Sequence, residues 1–127
     1  MINNQTNQPI KKFDLEERTL TFAKKVIHLC QKLPSNVVNS KLIDQIIRSS
    51  GSIGANYREA NDALGKKDFA FRLRISRKET KETLFWLELI SEANPSFLSS
   101  VSDLINESIE IRNILSAIVK KVESKNV

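Results

Sequence analysis

Apolar residues recur at steps of three and four in four separate stretches of this 127-residue chain, with helix-stopping residues between the stretches. The breaks fall at Leu33-Pro34, at Gly65 and at Asn94-Pro95. Leu15, Thr19, Phe22, Val26, Leu29 and Leu33 form the first stripe, widened by Leu20, Ala23, Ile27 and Cys30. The second runs Ile43, Ile47, Ser50, Gly54, Tyr57, with Leu42, Ile46 and Ile53 beside it. Phe69, Leu73, Ser76, Thr80, Thr83, Leu87 and Ile90 make the third. The fourth is Val101, Leu104, Ser108, Ile111, Leu115, Ile118 and Val122, flanked by Ile105, Ile109, Ile114 and Val119, a wider apolar surface than a simple bundle stripe requires. Four amphipathic helices with short connections define an all-α fold, an antiparallel up-down four-helix bundle.

The expected boundaries follow from the same residues. Residues 1–12 are polar and read as a flexible tail, 13–123 as the bundle domain and 124–127 as a frayed end. Asp14 with Glu17 has capping-box spacing, Ser40 is the expected N-cap of the second helix, and Ser100 with Asp103 that of the fourth. The second helix is expected to fade near Ala63. The third begins around Lys66, with Asp68 near its positive end.

The stretch from Arg48 to Leu89 carries two further signals. Its first half is dense in small residues (Ser49, Ser50, Gly51, Ser52, Gly54, Ala55), although a glycine inside a helix costs roughly 1 kcal/mol relative to alanine. Close approach of another helix would explain that cost, and antiparallel pairing would set Ser76, Thr80 and Thr83 near Ser50 and Gly54. Its second half places Lys67, Arg74, Arg77, Lys78 and Lys81 on one helical strip, with Arg72 nearby. The chain's net charge is +5, and the segment 58–81 alone holds eight basic residues against four acidic ones. Such a strip either keeps a helix face soluble or contacts phosphate backbones through charge and shape. Helix-turn-helix spacing, zinc-finger ligands and the aromatic pattern of RNA-recognition sheets are all missing from the sequence, so a sequence-reading mode is not expected.

Motifs for catalysis are sparse. His28 is the single histidine and lacks the Glu-x-x-His pattern of di-iron bundles. Cys30, the single cysteine, lies on the apolar side as a structural thiol and cannot form an intramolecular disulfide, which fits a reducing compartment. Glu79, Glu82 and Glu88 interleave with Lys78 and Lys81 as helix-surface ion pairs rather than as metal ligands. GSIG at 51–54 is too short for a phosphate loop and lacks the preceding strand. No enzyme activity, cofactor or metal is expected. With no apolar run near the ~20 residues of a membrane span and no signal-peptide pattern, the expected location is cytoplasmic.

The chain resembles the intervening-sequence 23S rRNA proteins, a four-helix bundle family often encoded within insertions in bacterial 23S rRNA genes. The resemblance rests on Arg48-Ser49-Ser50, the run Ser52 to Ala60 (SIGANYREA), Lys67-Asp68-Phe69, Lys78-Glu79 and Glu82 to Leu89 (ETLFWLEL). Phe22-Ala23, Leu33-Pro34 and Gln45 with Arg48 also fit, and the likeness spans about residues 13–120. Phe85 departs from it, standing where a tyrosine is common. The resemblance implies a cyclic homopentamer and similarity to the accessory protein of diversity-generating retroelements, a basic pentamer that binds nucleic acid and a reverse transcriptase. Within the family motif, Arg48, Gly51, Gly54, Asn56, Arg58, Glu59 and Trp86 are candidate structural or interface residues. Arg48 and Glu59, with Glu79 or Glu82, are candidates for a polar network across helices or subunits. The wide face of the fourth helix is a further candidate for subunit contacts. Two functional readings stay open: an oligomeric RNA- or DNA-binding bundle using the basic strip, RNA ahead of DNA, and a protein-interaction scaffold without specific nucleic-acid binding.

Overall fold

The computed structural model describes residues 14–125, and these form four α-helices and a short 3-10 turn. The helices are α1 (Asp14–Lys32), α2 (Val37–Asn61), α3 (Lys66–Ala93) and α4 (Leu98–Lys125), with the turn at Pro95–Phe97. α1 packs on α2, α2 on α3, α3 on α4 and α4 on α1, which closes a square bundle. The run is antiparallel: Thr83 of α3 meets Ser49 of α2, whereas Arg72, earlier in α3, meets Asn56, later in α2. At 28 residues each, α3 and α4 extend about 42 Å. The expected tail at 1–12 lies outside the described residues. α4 continues through Ser124 to Lys125 and takes in part of the segment expected to fray.

The caps differ from the sequence expectation at two helices. α2 is capped by Asn36, whose side chain accepts the Asn39 backbone N–H at 2.8 Å, so Ser40 already lies within the helix. α4 starts at Leu98 because Pro95 opens a 3-10 turn that leads straight into it, which places Ser100 and Asp103 inside the first turns. α2 ends at Asn61, slightly before the expected fade.

The main α1 line from Leu15 to Leu33 is buried throughout, although Ile27, expected to widen it, is exposed; the α3 stripe is buried except for Phe69, which is half-buried. In α2 the buried face is turned part-way from the expected line: Ser50 and Tyr57 of that line face inward, joined by Ile46, Ser49, Ile53 and Ala60, while Ile47 is exposed. α2 must satisfy both α1 and α3, and the two candidate lines differ by only one residue step. On α4, Ile105, Ile114, Ile118 and Val122 are half-buried against the protomer's own core.

The middle of the core is lined by small hydroxyl side chains. Ser76 Oγ donates to the Ile53 carbonyl at 2.7 Å, and Thr83 shares a 2.8 Å hydroxyl hydrogen bond with Ser49. Each buried hydroxyl is thus satisfied while its small size lets α3 lie close to α2. The partners are Ser49 and Ile53, one residue earlier than the expected Ser50 and Gly54. Gly54 serves a different neighbour: a Cβ there would stand 2.8 Å from Thr19 Oγ1 of α1. Gly51 has nothing within 4 Å of such a Cβ, so close packing does not account for it.

Two polar clusters tie the helices together. At one end Asn39 and Asn94, 1% and 5% exposed, exchange reciprocal amide hydrogen bonds of 2.9 and 2.8 Å. Their remaining amide protons go to the Pro34 and Ile90 carbonyls, so α2 is fastened to the α3–α4 connection with no donor left over. Across the α1–α4 junction Arg18 grips Glu107 through two hydrogen bonds (2.6 and 2.8 Å) and Glu110 through a third (2.6 Å). The Glu107 hydrogen bond, the largest influence, raises the Arg18 pKa well above its ordinary value despite the opposing effect of burial.

Candidate nucleic-acid interface

α3 is buried on the side facing α2 and α4, which leaves one long outward face. Residues seven apart on a helix nearly align, so Phe71, Lys78 and Phe85 fall on a single outward line. Arg74, Arg77, Lys78 and Lys81 converge there with Glu82, Phe85 and Trp86 around an open groove of ≈ 360 Å³. Four of the six cations singled out from sequence therefore line one site. Lys67 is exposed near the helix start, outside the groove lining. Arg72 turns toward α2, donating to Asn56 Oδ1 at 3.3 Å and pairing with Asp68 at 3.9 Å.

The charges in the groove are unevenly committed. Arg74 is anchored to Glu123 of α4 at 2.9 Å, and Lys78 reaches Glu82 at 3.7 Å. Among the described residues, Arg77 and Lys81 have no carboxylate within 4.0 Å. Exposed pairs of this kind contribute about 0–1 kcal/mol each, so exchanging Glu82 for a phosphate costs little. Two exposed aromatic rings share this face of α3, Phe85 in the groove lining and Phe71 outside it. Phe85 is 53% exposed and meets Trp86 edge-to-face, with centroids 5.2 Å apart at 72°. Phe71 is 50% exposed, and the Arg72 guanidinium lies 5.9 Å from its ring centroid. The half-buried Trp86 keeps its Nε1 enclosed without an acceptor among the described residues.

The other candidate residues sit elsewhere. Arg48 joins α2 to α3, reaching Glu79 at 3.3 Å and Glu82 at 2.9 Å. Hydrogen bonding to Glu79, ahead of the other contributions, raises its pKa. Glu59 takes no part in that network and is exposed. Asn56 donates back to the Ser52 carbonyl at 2.9 Å, and Arg58 only approaches Glu16, at 3.9 Å. Arg58 and Glu59 do, with Gly51 and Gly54, border another groove, of ≈ 390 Å³, between α1 and α2. His28 is exposed, and burial pushes the Cys30 thiol up to about 11. The outward aromatics were absent from the sequence-derived site, yet a signal existed: Phe71 and Phe85 both fall outside the α3 apolar stripe.

Comparison with known proteins places this architecture. A family model described as 23S rRNA-intervening sequence protein matches residues 11–117. The chain belongs to that family. Among solved structures, it is similar to a protein of unknown function from the S23 ribosomal protein family of Bacteroides thetaiotaomicron. The two are 34% identical with a TM-score of 0.74, and the match covers 84% of this chain and 98% of the other. No curated protein matches the chain. Among the described residues, no helix is long and apolar enough to cross a membrane.

Proposed function

We propose that this family member is a non-enzymatic, oligomeric helical bundle that binds RNA through the outward face of α3. The observation that carries the reading is the convergence of Arg74, Arg77, Lys78 and Lys81 on one groove, with Arg77 and Lys81 free of acidic partners among the described residues. Phosphate contacts set affinity without reading sequence, and a groove of cations on a rigid helix suits a backbone of regularly spaced charges. The family's description, which refers to 23S rRNA, favours RNA over DNA as the polyanion. Assembly into a ring, as the sequence resemblance implies, would repeat the groove and multiply weak contacts through effective concentration.

The test is binding of a structured RNA at about 0.15 M salt by the wild type and an Arg77→Glu/Lys78→Glu/Lys81→Glu variant, with light scattering on both. Binding by the wild type and its loss in a variant of unchanged mass supports the interface. Equal binding by both proteins removes this face from the interaction. Absence of binding by either shifts the reading to a scaffold, for which one feature already speaks: Val37, Val38 and Leu98 are exposed at the helix starts flanking the Asn39–Asn94 clamp. The partner would then be a protein, a reverse transcriptase being one class that the sequence resemblance offers.

A further inference from the structure

We infer that the outward face of α3 selects single-stranded RNA, holding the backbone on the groove's cations while unpaired bases stack on Phe85 in the groove and on Phe71 beyond it; this rests on the RNA-binding reading above. Phosphate contacts alone would leave the aromatic placement unexplained. Phe71 and Phe85 lie two heptads apart, about 21 Å along the helix, with Lys78 midway between them on the same line. Both rings are half exposed. Burial in this protomer therefore does not account for keeping phenylalanine at either position.

A two-fold contact of this face with itself is disfavoured, because it would bring Arg77, Lys78 and Lys81 against their own counterparts, and the oligomer mass of Phe85→Ala tests a head-to-tail contact of the kind a ring uses. The same arrangement suits an unpaired strand. Its phosphates meet the ammonium and guanidinium groups while its bases, whose faces are hidden in a duplex, reach the aromatic faces. Phe85 is braced edge-on by Trp86, which limits the freedom lost when a base settles on it. A duplex, although it has the higher linear charge density, could use only the charges, so any preference of the groove for the single strand must come from the aromatics.

The probe is a labelled oligouridylate of about a dozen nucleotides, compared with a blunt RNA duplex of the same length. Trp86 is the only tryptophan, and its place beside Phe85 makes its fluorescence a reporter of base contact. The single strand is expected to bind tighter than the duplex and to quench Trp86. Phe85→Ala should weaken single-strand binding by about ten-fold with little effect on the duplex, whereas Phe85→Tyr should retain it. Light scattering on Phe85→Ala should match the wild type and thermal unfolding should show only the small loss of the Trp86 edge contact, because the ring is half exposed. Equal affinity for both RNA forms with no Phe85→Ala effect overturns the stacking inference while the phosphate interface stands. Loss of oligomer mass in Phe85→Ala assigns the ring to a subunit contact and overturns it too. Failure of both RNAs to bind ends the underlying RNA reading itself.

Discussion

Gly54→Ala is expected to destabilise the bundle, although alanine is the better helix former. In an exposed helix interior the exchange would gain roughly 1 kcal/mol. At Gly54 the new methyl would stand 2.8 Å from Thr19 Oγ1 and 3.3 Å from Thr19 Cβ. Thr19 is fully buried and β-branched, and its hydroxyl already donates to the Leu15 carbonyl at 2.8 Å, so it cannot swing aside. Overpacking of this kind costs about 1–3 kcal/mol, which outweighs the propensity gain and leaves a net loss of up to about 2 kcal/mol. Gly51→Ala, with nothing within 4 Å of its methyl, should be stabilising by about 0.5–1 kcal/mol. Urea unfolding of both variants, with Thr19→Ala and the Thr19→Ala/Gly54→Ala double variant, completes the cycle. The double variant should be more stable than Thr19→Ala alone, since removing the threonine side chain opens the space that the new methyl needs. If Gly54→Ala stabilises as much as Gly51→Ala, the close approach of α1 and α2 does not exist in solution.

Other perturbations separate the remaining interactions. Asn94→Leu strips partners from the buried Asn39 amide and should cost about 2–3 kcal/mol in the same unfolding assay, as expected for a stranded polar group. Arg48→Ala leaves the buried Glu79 carboxylate without its cation and should cost about 1–2 kcal/mol, whereas Arg58→Ala, which loses only an exposed 3.9 Å pair, should stay within about 0.5 kcal/mol. Cys30 gives a pH dependence. Its folded pKa lies above the ordinary value of 9.0, so the folded state holds the proton more tightly, and this contribution is complete below pH 9 and lost as pH rises toward about 11. Across that window wild-type stability should fall by about 2 kcal/mol more than that of Cys30→Ala; parallel curves would mean that the thiol is not buried.

The helices were legible because their period is long and their stoppers are strong; Leu33-Pro34 and Asn94-Pro95 leave little freedom. The α1 line from Leu15 to Leu33 could be read directly because a helix on the α1 pattern has one dominant apolar face. α2 could not be resolved as finely. Ile43, Ile46, Ile47 and Ile53 offer two inward lines, and only the positions of α1 and α3 decide that Ile46 and Ile53 are buried. Gly51 and Gly54 look alike in sequence, yet only Gly54 meets a neighbouring helix, a fact of tertiary geometry. The basic strip was visible as a periodicity, but its members differ once partners are known: Arg72 is drawn to Asn56 and Arg74 to Glu123, while Arg77 and Lys81 remain available. Asn39 and Asn94 are far apart in sequence and carry no local signal for their pairing. Capping misled at Ser40 because Asn36, four residues earlier, makes an equally good cap.

The most direct measurement is the salt dependence of binding to single-stranded RNA for the wild type, Arg77→Gln and Lys81→Gln. Each neutral substitution should flatten the slope of log K against log salt by about 0.7, the share of one phosphate contact on a single strand, with the helical content unchanged. Slopes identical to that of the wild type in both variants would contradict the assignment of this groove as the RNA interface.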